Sequence, residues 1–288
     1  MRILIAYDGS ECSDAALEDL TRAGLPPKAE VLVLSVSDVW LSEANGMIND
    51  QEEFLSQANE EVLELAHKAK NKLQKLFPSW KLCTQVLNGS PASTIVREAK
   101  KWNANMIVMG SHGRSLLGRI RWGSVSQSVV THAHCSVRIS REQKKPRAKV
   151  LRLVIGMDGS LQAKAAVENV ASRIWPARSE IRVIAVFDPN RYTSGVVINI
   201  EAEKAYKWFE KAVKFAEKRL CEAGIRATGI VMGGNPKHVL IREAEKWNAD
   251  CVIVGARGLN RLDRILLLGS VSTAVAMRAR CSVEIVRA

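Results

Sequence analysis

Arg2-Ile3-Leu4-Ile5-Ala6-Tyr7-Asp8-Gly9-Ser10 is a short apolar run that ends in an acid, a glycine and a hydroxyl, and it returns as Arg152-Leu153-Val154-Ile155-Gly156-Met157-Asp158-Gly159-Ser160. The chain repeats itself, and that repeat decides the architecture. Arg97-Glu98-Ala99-Lys100-Lys101-Trp102-Asn103-Ala104 returns as Arg242-Glu243-Ala244-Glu245-Lys246-Trp247-Asn248-Ala249. Gly123-Ser124-Val125-Ser126 returns as Gly269-Ser270-Val271-Ser272, and Cys135-Ser136-Val137 as Cys281-Ser282-Val283. The offset drifts between 150 and 145 residues, so the copies differ by small insertions and deletions, which belong in loops. Between them Arg141 to Lys149 is polar, basic and broken by Pro146. Two domains are predicted, 1–140 and 151–288, with 141–150 as a linker.

Within each copy short apolar runs alternate with helical patterns. In the first, Ile3–Ala6, Val31–Val36, Lys81–Leu87, Met106–Met109 and Ser136–Ile139 read as strands. Residues 12–23, 50–77, 91–103 and about 118–132 read as helices. A β-α-β-α alternation predicts an α/β fold, a doubly wound parallel sheet covered by helices on both faces and present twice in tandem. Continuous apolar runs such as Val31-Leu32-Val33-Leu34 support burial on both faces. In such Rossmann-like sheets ligands lie beyond the carboxyl ends of the strands, where the strand order reverses, so function is sought just after each run.

A chain of 288 residues, 47% hydrophobic and 25% charged, has the make-up of a globular protein and the length for two cores. No apolar run reaches the roughly 18 residues of a membrane span, and the apolar start turns polar at Tyr7-Asp8, so a cytoplasmic protein without membrane contact is expected. The six cysteines include no Cys-x-x-Cys pair and are expected to be reduced, Cys135 and Cys281 as small core residues. Charge divides unevenly. Residues 1–144 carry 17 basic against 16 acidic groups, residues 145–288 carry 25 against 14, so nearly all of the net +12 lies in the second copy.

The chemistry concentrates after the fourth strand of copy one, in Gly110-Ser111-His112-Gly113, nine residues, then Gly123-Ser124. Glycines let a backbone approach phosphate oxygens, and a helix start beyond them offers unpaired N–H groups and a positive dipole end. Ser124 adds a hydroxyl, and Arg114, Arg119 and Arg121 add nearby positive charge. That combination, with an acid at the end of the first strand, describes an anion cradle.

The Gly-x2-Gly-x9-Gly-Ser pattern, the strand end Asp8-Gly9-Ser10 and the helix start Gly89-Ser90-Pro91 resemble the universal stress protein family, over nearly the whole chain and twice. The resemblance implies a five-stranded parallel sheet flanked by helices, and ATP, with Mg, as the ligand. Carried over by position, Asp8 lies beside adenine and ribose with Ala6 and Tyr7 leading into it, Val36 meets the adenine, and Met109 forms part of the wall. Gly110 and Gly113 line ribose and phosphates, Gly123, Ser124 and Val125 hold the triphosphate, and Ser126 and Arg114 are close by. Copy two keeps Asp158, Val186, Val254, Gly255, Gly258, Gly269, Ser270, Val271 and Ser272 at the matching places. Its loop, Leu259 to Leu268, is one residue longer, which costs little stability but is enough to displace phosphate-binding N–H groups.

Family members pair through their last strands, so the two halves are expected to form an intramolecular pseudo-dimer, and further homodimers are expected by analogy. In the second copy Lys204, Lys207, Lys211, Lys214 and Lys218 recur at helical spacing, a stripe that suits a solvated face or, more sharply, an acidic partner or nucleic acid. Tyr206, Phe209, Val213, Ala216 and Leu220 follow the same spacing and are expected to pack on the sheet. Thr131-His132-Ala133-His134-Cys135 offers metal-type ligands but no second set to close a four-ligand site, so no metal is expected. There is no Gly-x4-Gly-Lys-Ser/Thr loop, no Gly-x-Ser-x-Gly elbow and no His-Glu-x-x-His pair, and no group is evident to position an attacking water. The expectation is an ATP-binding regulatory module of the stress response. Its rivals are a nucleotide-independent scaffold and a slow Mg-dependent ATPase.

Overall fold

The computed structural model describes residues 1–38, 48–113, 122–141, 150–188, 198–258 and 268–288, the side chains of 48–59 and 198–201 excepted. The apolar runs of the first half form β1 (Arg2–Ala6), β2 (Glu30–Ser37), β3 (Lys81–Asn88), β4 (Met106–Gly110) and β5 (Ser136–Ser140). Between them run α1 (Glu11–Asp19), α2 (Ile48–Leu76), α3 (Pro91–Lys101) and α4 (Ser124–His132). The strands lie in the order β3-β2-β1-β4-β5 and pair in parallel throughout. The order reverses between β1 and β4, which makes their carboxyl ends the switch point.

The second half repeats this with β6 (Arg152–Gly156), α5 (Leu161–Ala171), β7 (Glu180–Phe187), α6 (Ile198–Glu222) and β8 (Arg226–Gly233). It continues through α7 (Pro236–Lys246), β9 (Cys251–Gly255), α8 (Ser270–Arg278) and β10 (Ser282–Val286). Its order, β8-β7-β6-β9-β10, is again parallel. Two compact units result, Met1–Thr21 with Pro26–Arg141, and Arg22–Leu25 with Glu142–Ala288. The predicted linker lies, over 142–149, outside the described residues.

The cores follow from the apolar runs. Ile3, Ile5, Val31, Val33, Met106 and Val108 are fully buried in the first unit, and each such side chain contributes about 1.5–3 kcal/mol by leaving water. Helix α2 presents Ala66, Ala69 and Leu73 to the sheet, and α6 presents Val213, Ala216 and Leu220. Tyr206 departs from expectation: it is 42% exposed, one turn before the buried rows, with its ring edge-on to that of Phe187 at 6.0 Å. The repeated Trp-Asn-Ala has a structural use. Asn103 and Asn248 take positive φ, 53° and 50°, just past α3 and α7. The amide of Ala104 then donates to Ala99 O at 2.8 Å and that of Asn103 to Lys100 O at 3.1 Å, with matching bonds at Ala249 and Asn248. These are Schellman closures, which satisfy the last carbonyls of each helix.

Two strands carry buried charge inside apolar runs. Arg138, 1% exposed in β5, donates from Nε to Asp19 Oδ2 at 2.8 Å, and Ser140 Oγ donates to the same oxygen at 3.0 Å. At the matching position of β10 stands Glu284, fully buried and held by Arg173, whose Nη1 donates to Oε2 at 2.9 Å. The polarity is inverted between copies while the pairing is kept, as buried charges require.

Candidate functional site

At the carboxyl end of β1, Tyr7 is drawn into the core. Its amide donates to Leu34 O at 3.0 Å, its carbonyl accepts from Ser35 Oγ at 2.7 Å, and its hydroxyl lies 3.1 Å from Asp14 Oδ1. Tyr7 thus shapes the site from beneath. The next residue, Asp8, turns outward and is exposed. Its Oδ1 accepts from the Ser10 amide at 3.0 Å and the Ser10 hydroxyl at 2.6 Å, so one carboxylate oxygen is fixed by the start of α1 and Oδ2 is left to face the neighbouring loop. Ser10 also caps α1 by accepting from the Ser13 amide.

That neighbouring loop leaves β4. A Cβ placed on Gly110 would lie 2.8 Å from the Cys12 carbonyl carbon, and one on Gly113 only 2.6 Å from Asp8 Oδ2. Both glycines are therefore required by close approach, the first to α1 and the second to the acid. Met109 is buried behind them, while Ala6 and Val36 are half-buried at the ends of β1 and β2. The chain returns at Gly123, whose amide donates to Ser111 O at 2.9 Å. Ser126 Oγ donates to the carbonyls of Gly110 and Ser111 at 3.0 and 3.1 Å. These bonds close the loop on itself and commit the Gly123 amide and the Ser126 hydroxyl to its architecture.

The same bonds correct the start of α4. The pattern predicts helix from about 118; the described helix begins at Ser124, because Gly123 is extended (φ −76°, ψ 155°) and tied back to Ser111 rather than to a preceding turn. As N-cap, Gly123 has no side chain to offer, in contrast to Ser10 on α1. The Ser124 and Val125 amides and the exposed Ser124 hydroxyl consequently bond to nothing among the described residues. Open amides at a helix start carry partial positive charge and suit an anion. Trp122, just before Gly123, is buried with an indole N–H that lacks a partner among the described residues. Arg114, Arg119 and Arg121 lie outside the described residues.

One cluster at this site was not singled out from sequence. His112 Nε2 lies 3.3 Å from Cys12 Sγ, and its Nδ1 3.1 Å from Ser111 Oγ, so the second residue of α1 and the glycine loop are joined by a thiol–imidazole contact. Copy two holds Gln162 and Arg257 at these places, and comparing the copies position by position is the signal that finds it.

Copy two reproduces the frame. Asp158 Oδ1 accepts from the Ser160 amide at 2.9 Å, and a Cβ on Gly258 would lie 2.5 Å from Asp158 Oδ2. A Cβ on Gly255 would lie 2.7 Å from the Gln162 carbonyl carbon. The Gly269 amide donates to Ala256 O at 2.8 Å, and Ser272 Oγ to Gly255 O at 2.6 Å. Ser270 is exposed and Val271 half-buried at the start of α8, again under a glycine cap, while Val186 and Val254 are buried. The two ends of the longer loop are thus built as in copy one, and 259–267 lie outside the described residues. Copy two adds Trp208, whose indole covers Gly159 and donates to Asp158 O at 3.2 Å.

A doubled, doubly wound α/β domain with an acid facing a glycine loop at its switch point defines a tandem Rossmann-like protein. The sequence profile of the Universal stress protein family matches residues 1–141 and again 150–287, and the chain belongs to that family. A universal stress protein of Methanocaldococcus jannaschii is 35% identical over 149 residues, half of this chain and 84% of its own. One of Mycobacterium tuberculosis is 27% identical over 310 residues, covering 99% of this chain and 96% of its own. The crystal structure of a universal stress protein from Archaeoglobus fulgidus matches with a TM-score of 0.67 at 23% identity, over 99% of this chain and 96% of that one, and so shares the tandem fold. No helix among the described residues is long and apolar enough to cross a membrane.

Proposed function

We propose that the protein is an ATP-binding regulatory module of the stress response, with the nucleotide held at the β1–β4 switch point of the first domain. The observation that carries this reading is the facing pair of Asp8 and Gly113 beside the open start of α4. A carboxylate oxygen with no side chain opposite it is placed to accept from ribose hydroxyls, and a helix start without a side-chain cap is placed to donate to phosphates. Val36 and Met109 supply an apolar wall for the adenine. The Ser124 and Val125 amides and the Ser124 hydroxyl are the phosphate donors, Gly110 and Gly113 allow the close approach, and Gly123 and Ser126 hold the loop in shape. Mg accompanies the triphosphate and offsets its charge.

The second domain carries the same frame through Asp158, Gly255, Gly258, Gly269, Ser270 and Val271, and belongs to the same reading. Regulation requires the nucleotide to bind two states of the protein with different affinity, so ATP occupancy would bias how the module meets a partner. The test is isothermal titration of Mg-ATP into the full chain, after denaturing extraction shows that no nucleotide came with it. Saturable heat is expected. Neither heat nor carried-over nucleotide would leave a nucleotide-independent scaffold as the better account, and steady Mg-dependent release of phosphate would make the protein an ATPase.

A further inference from the structure

Helix α6 carries a row that its core does not explain. Lys204, Trp208, Lys211, Phe215 and Lys218 follow one another at intervals of four, three, four and three residues, which sets them in one line along the helix. All five are exposed, Trp208 by 48% and Phe215 by 45%, while Val213, Ala216 and Leu220 fill the opposite, sheet-facing side. Lys207 and Lys214 stand exposed in the adjoining row. Among the described residues the lysines of this surface pair only toward its ends, Lys207 with Glu203 at 2.5 Å and Lys218 with Glu222 at 3.8 Å, both within the helix and both exposed. Exposed pairs of this kind hold a lysine weakly, so these ammonium groups remain available to another anion.

Each ring has a neighbour on its own domain. The Trp208 indole lies against Gly159 and donates to Asp158 O, with about half of the residue exposed. Lys164 of α5 stands 5.8 Å from the centre of the Phe215 ring, and Leu161, 69% exposed, adds apolar surface on the same helix. Seven residues of helix separate the rings by about 10 Å.

The duplicated copy serves as an internal control. Aligning the buried Ala66, Ala69 and Leu73 of α2 with Val213, Ala216 and Leu220 sets Glu60, Glu61 and Glu64 where α6 has Lys207, Trp208 and Lys211. Lys68 stands for Phe215 and Asn71 for Lys218, all exposed. The same fold is thus built here with glutamates on this surface and no aromatic side chain where α6 has Trp208 and Phe215, His67 standing for Lys214. Packing does not demand the aromatic and basic residues of α6.

We propose that this face of α6 binds single-stranded nucleic acid, with bases stacked on Trp208 and Phe215 and phosphates held by the lysines between and beside them. The arrangement fits that ligand better than a membrane. Helices that lie on lipid segregate apolar from basic residues on two faces, whereas here rings and lysines alternate in a single row, as bases and phosphates do along a strand. An acidic peptide would engage the lysines and leave the rings without partners.

The test is fluorescence anisotropy of end-labelled 12-residue oligo-uridine and oligo-deoxythymidine with the full chain, in saturating Mg-ATP so that the switch-point sites do not take the oligonucleotide. Binding is expected at 50 mM salt and should weaken roughly 20- to 100-fold by 200 mM, as three to five phosphate contacts require. Trp208→Ala and Phe215→Ala should each weaken it about ten-fold, Trp208→Phe should restore most of the loss, and a duplex of equal length should bind less well than either strand. Far-UV circular dichroism of the variants is expected to match the parent, since both rings are at the surface. No binding at 50 mM salt, or affinity unchanged in the double aromatic variant, would overturn the proposal. So would full competition by poly-glutamate, or capture by phosphatidylserine vesicles without capture of the oligonucleotide.

Discussion

Gly113 has no room for a methyl group while Asp8 stays where it is. With Oδ1 held by Ser10, the carboxylate can yield to a Cβ 2.6 Å from Oδ2 only by swinging out of the site. Because that swing is into solvent, Gly113→Ala should cost less than about 1 kcal/mol of stability. It should nonetheless abolish calorimetric ATP binding at the first domain; binding with parental affinity would disconnect the Asp8–Gly113 pair from the ligand. Asn103 is a residue of the opposite kind, repeated in the sequence yet purely structural. Its φ of 53° suits glycine and opposes a β-branched side chain, so Asn103→Gly should leave the melting temperature level or higher, and Asn103→Val should lower stability by about 1–2 kcal/mol. That Asp8, Gly110 and Gly113 come together at the strand ends was legible in the sequence, because close approach depends on backbone freedom, which residue type announces. The roles of Tyr7 and Ser126 were not. A hydroxyl near a glycine loop can face solvent or backbone, and only the fold decides that Ser126 serves the carbonyls of Gly110 and Ser111 and that Tyr7 turns inward to Asp14.

Among the elements, the inner strands β1, β2 and β4 are plainest in the sequence, since their apolar runs are continuous and largely buried, whereas the outer strand β3 mixes polar residues and is only half-buried. Helix starts are less plain, as α4 illustrates: an apolar pattern at helical spacing continues upstream of Gly123, while the glycine's bond to Ser111 O ends the helix there. Charged groups inside strands escape pattern reading for the same reason, because an Arg between Val137 and Ile139 finds its partner only across the packed layers. Removing that partner's counter-charge is costly. Arg138→Met should lower unfolding free energy by about 3–5 kcal/mol by leaving Asp19 buried and uncompensated, a loss readable from the urea midpoint. The α1–α2 contact is of a milder sort. Lys72 Nζ lies 3.4 Å from Asp14 and 3.0 Å from Glu18, and burial, which lowers its pKa, is outweighed by these two carboxylates, so the value stands above the usual 10.5. A raised lysine pKa contributes stability in full below about 10.5 and loses it as pH climbs through the folded value. The stability difference between the parent and Lys72→Met should therefore be constant, and no more than about 1 kcal/mol given the exposure of the pair, from neutrality to pH 10, and shrink beyond it.

Duplication makes the whole molecule its own comparison, and the two copies have diverged in surface and in loop length while retaining the switch-point frame. By sequence alone the longer loop is enough to displace the donors of copy two; the bonds that close its ends, Gly269 to Ala256 and Ser272 to Gly255, match those of copy one, and the Asp158–Gly258 approach is as tight. Two ATP molecules per chain are therefore expected. Gly113→Val should remove one and Gly258→Val the other, with the double variant silent in the calorimeter yet folded by circular dichroism. Trp208 supplies an independent optical record, since its indole bonds to Asp158 O at the rim of the second site. Among seven tryptophans its share of the emission is isolated by subtracting the Trp208→Phe variant, and ATP should change that share in Gly113→Val but not in Gly258→Val. A single site in the parent, unaffected by Gly258→Val, would mean that the additional residue between Gly258 and Gly269 has moved the donors of α8 away from a phosphate even though both ends of the loop are closed in the same way.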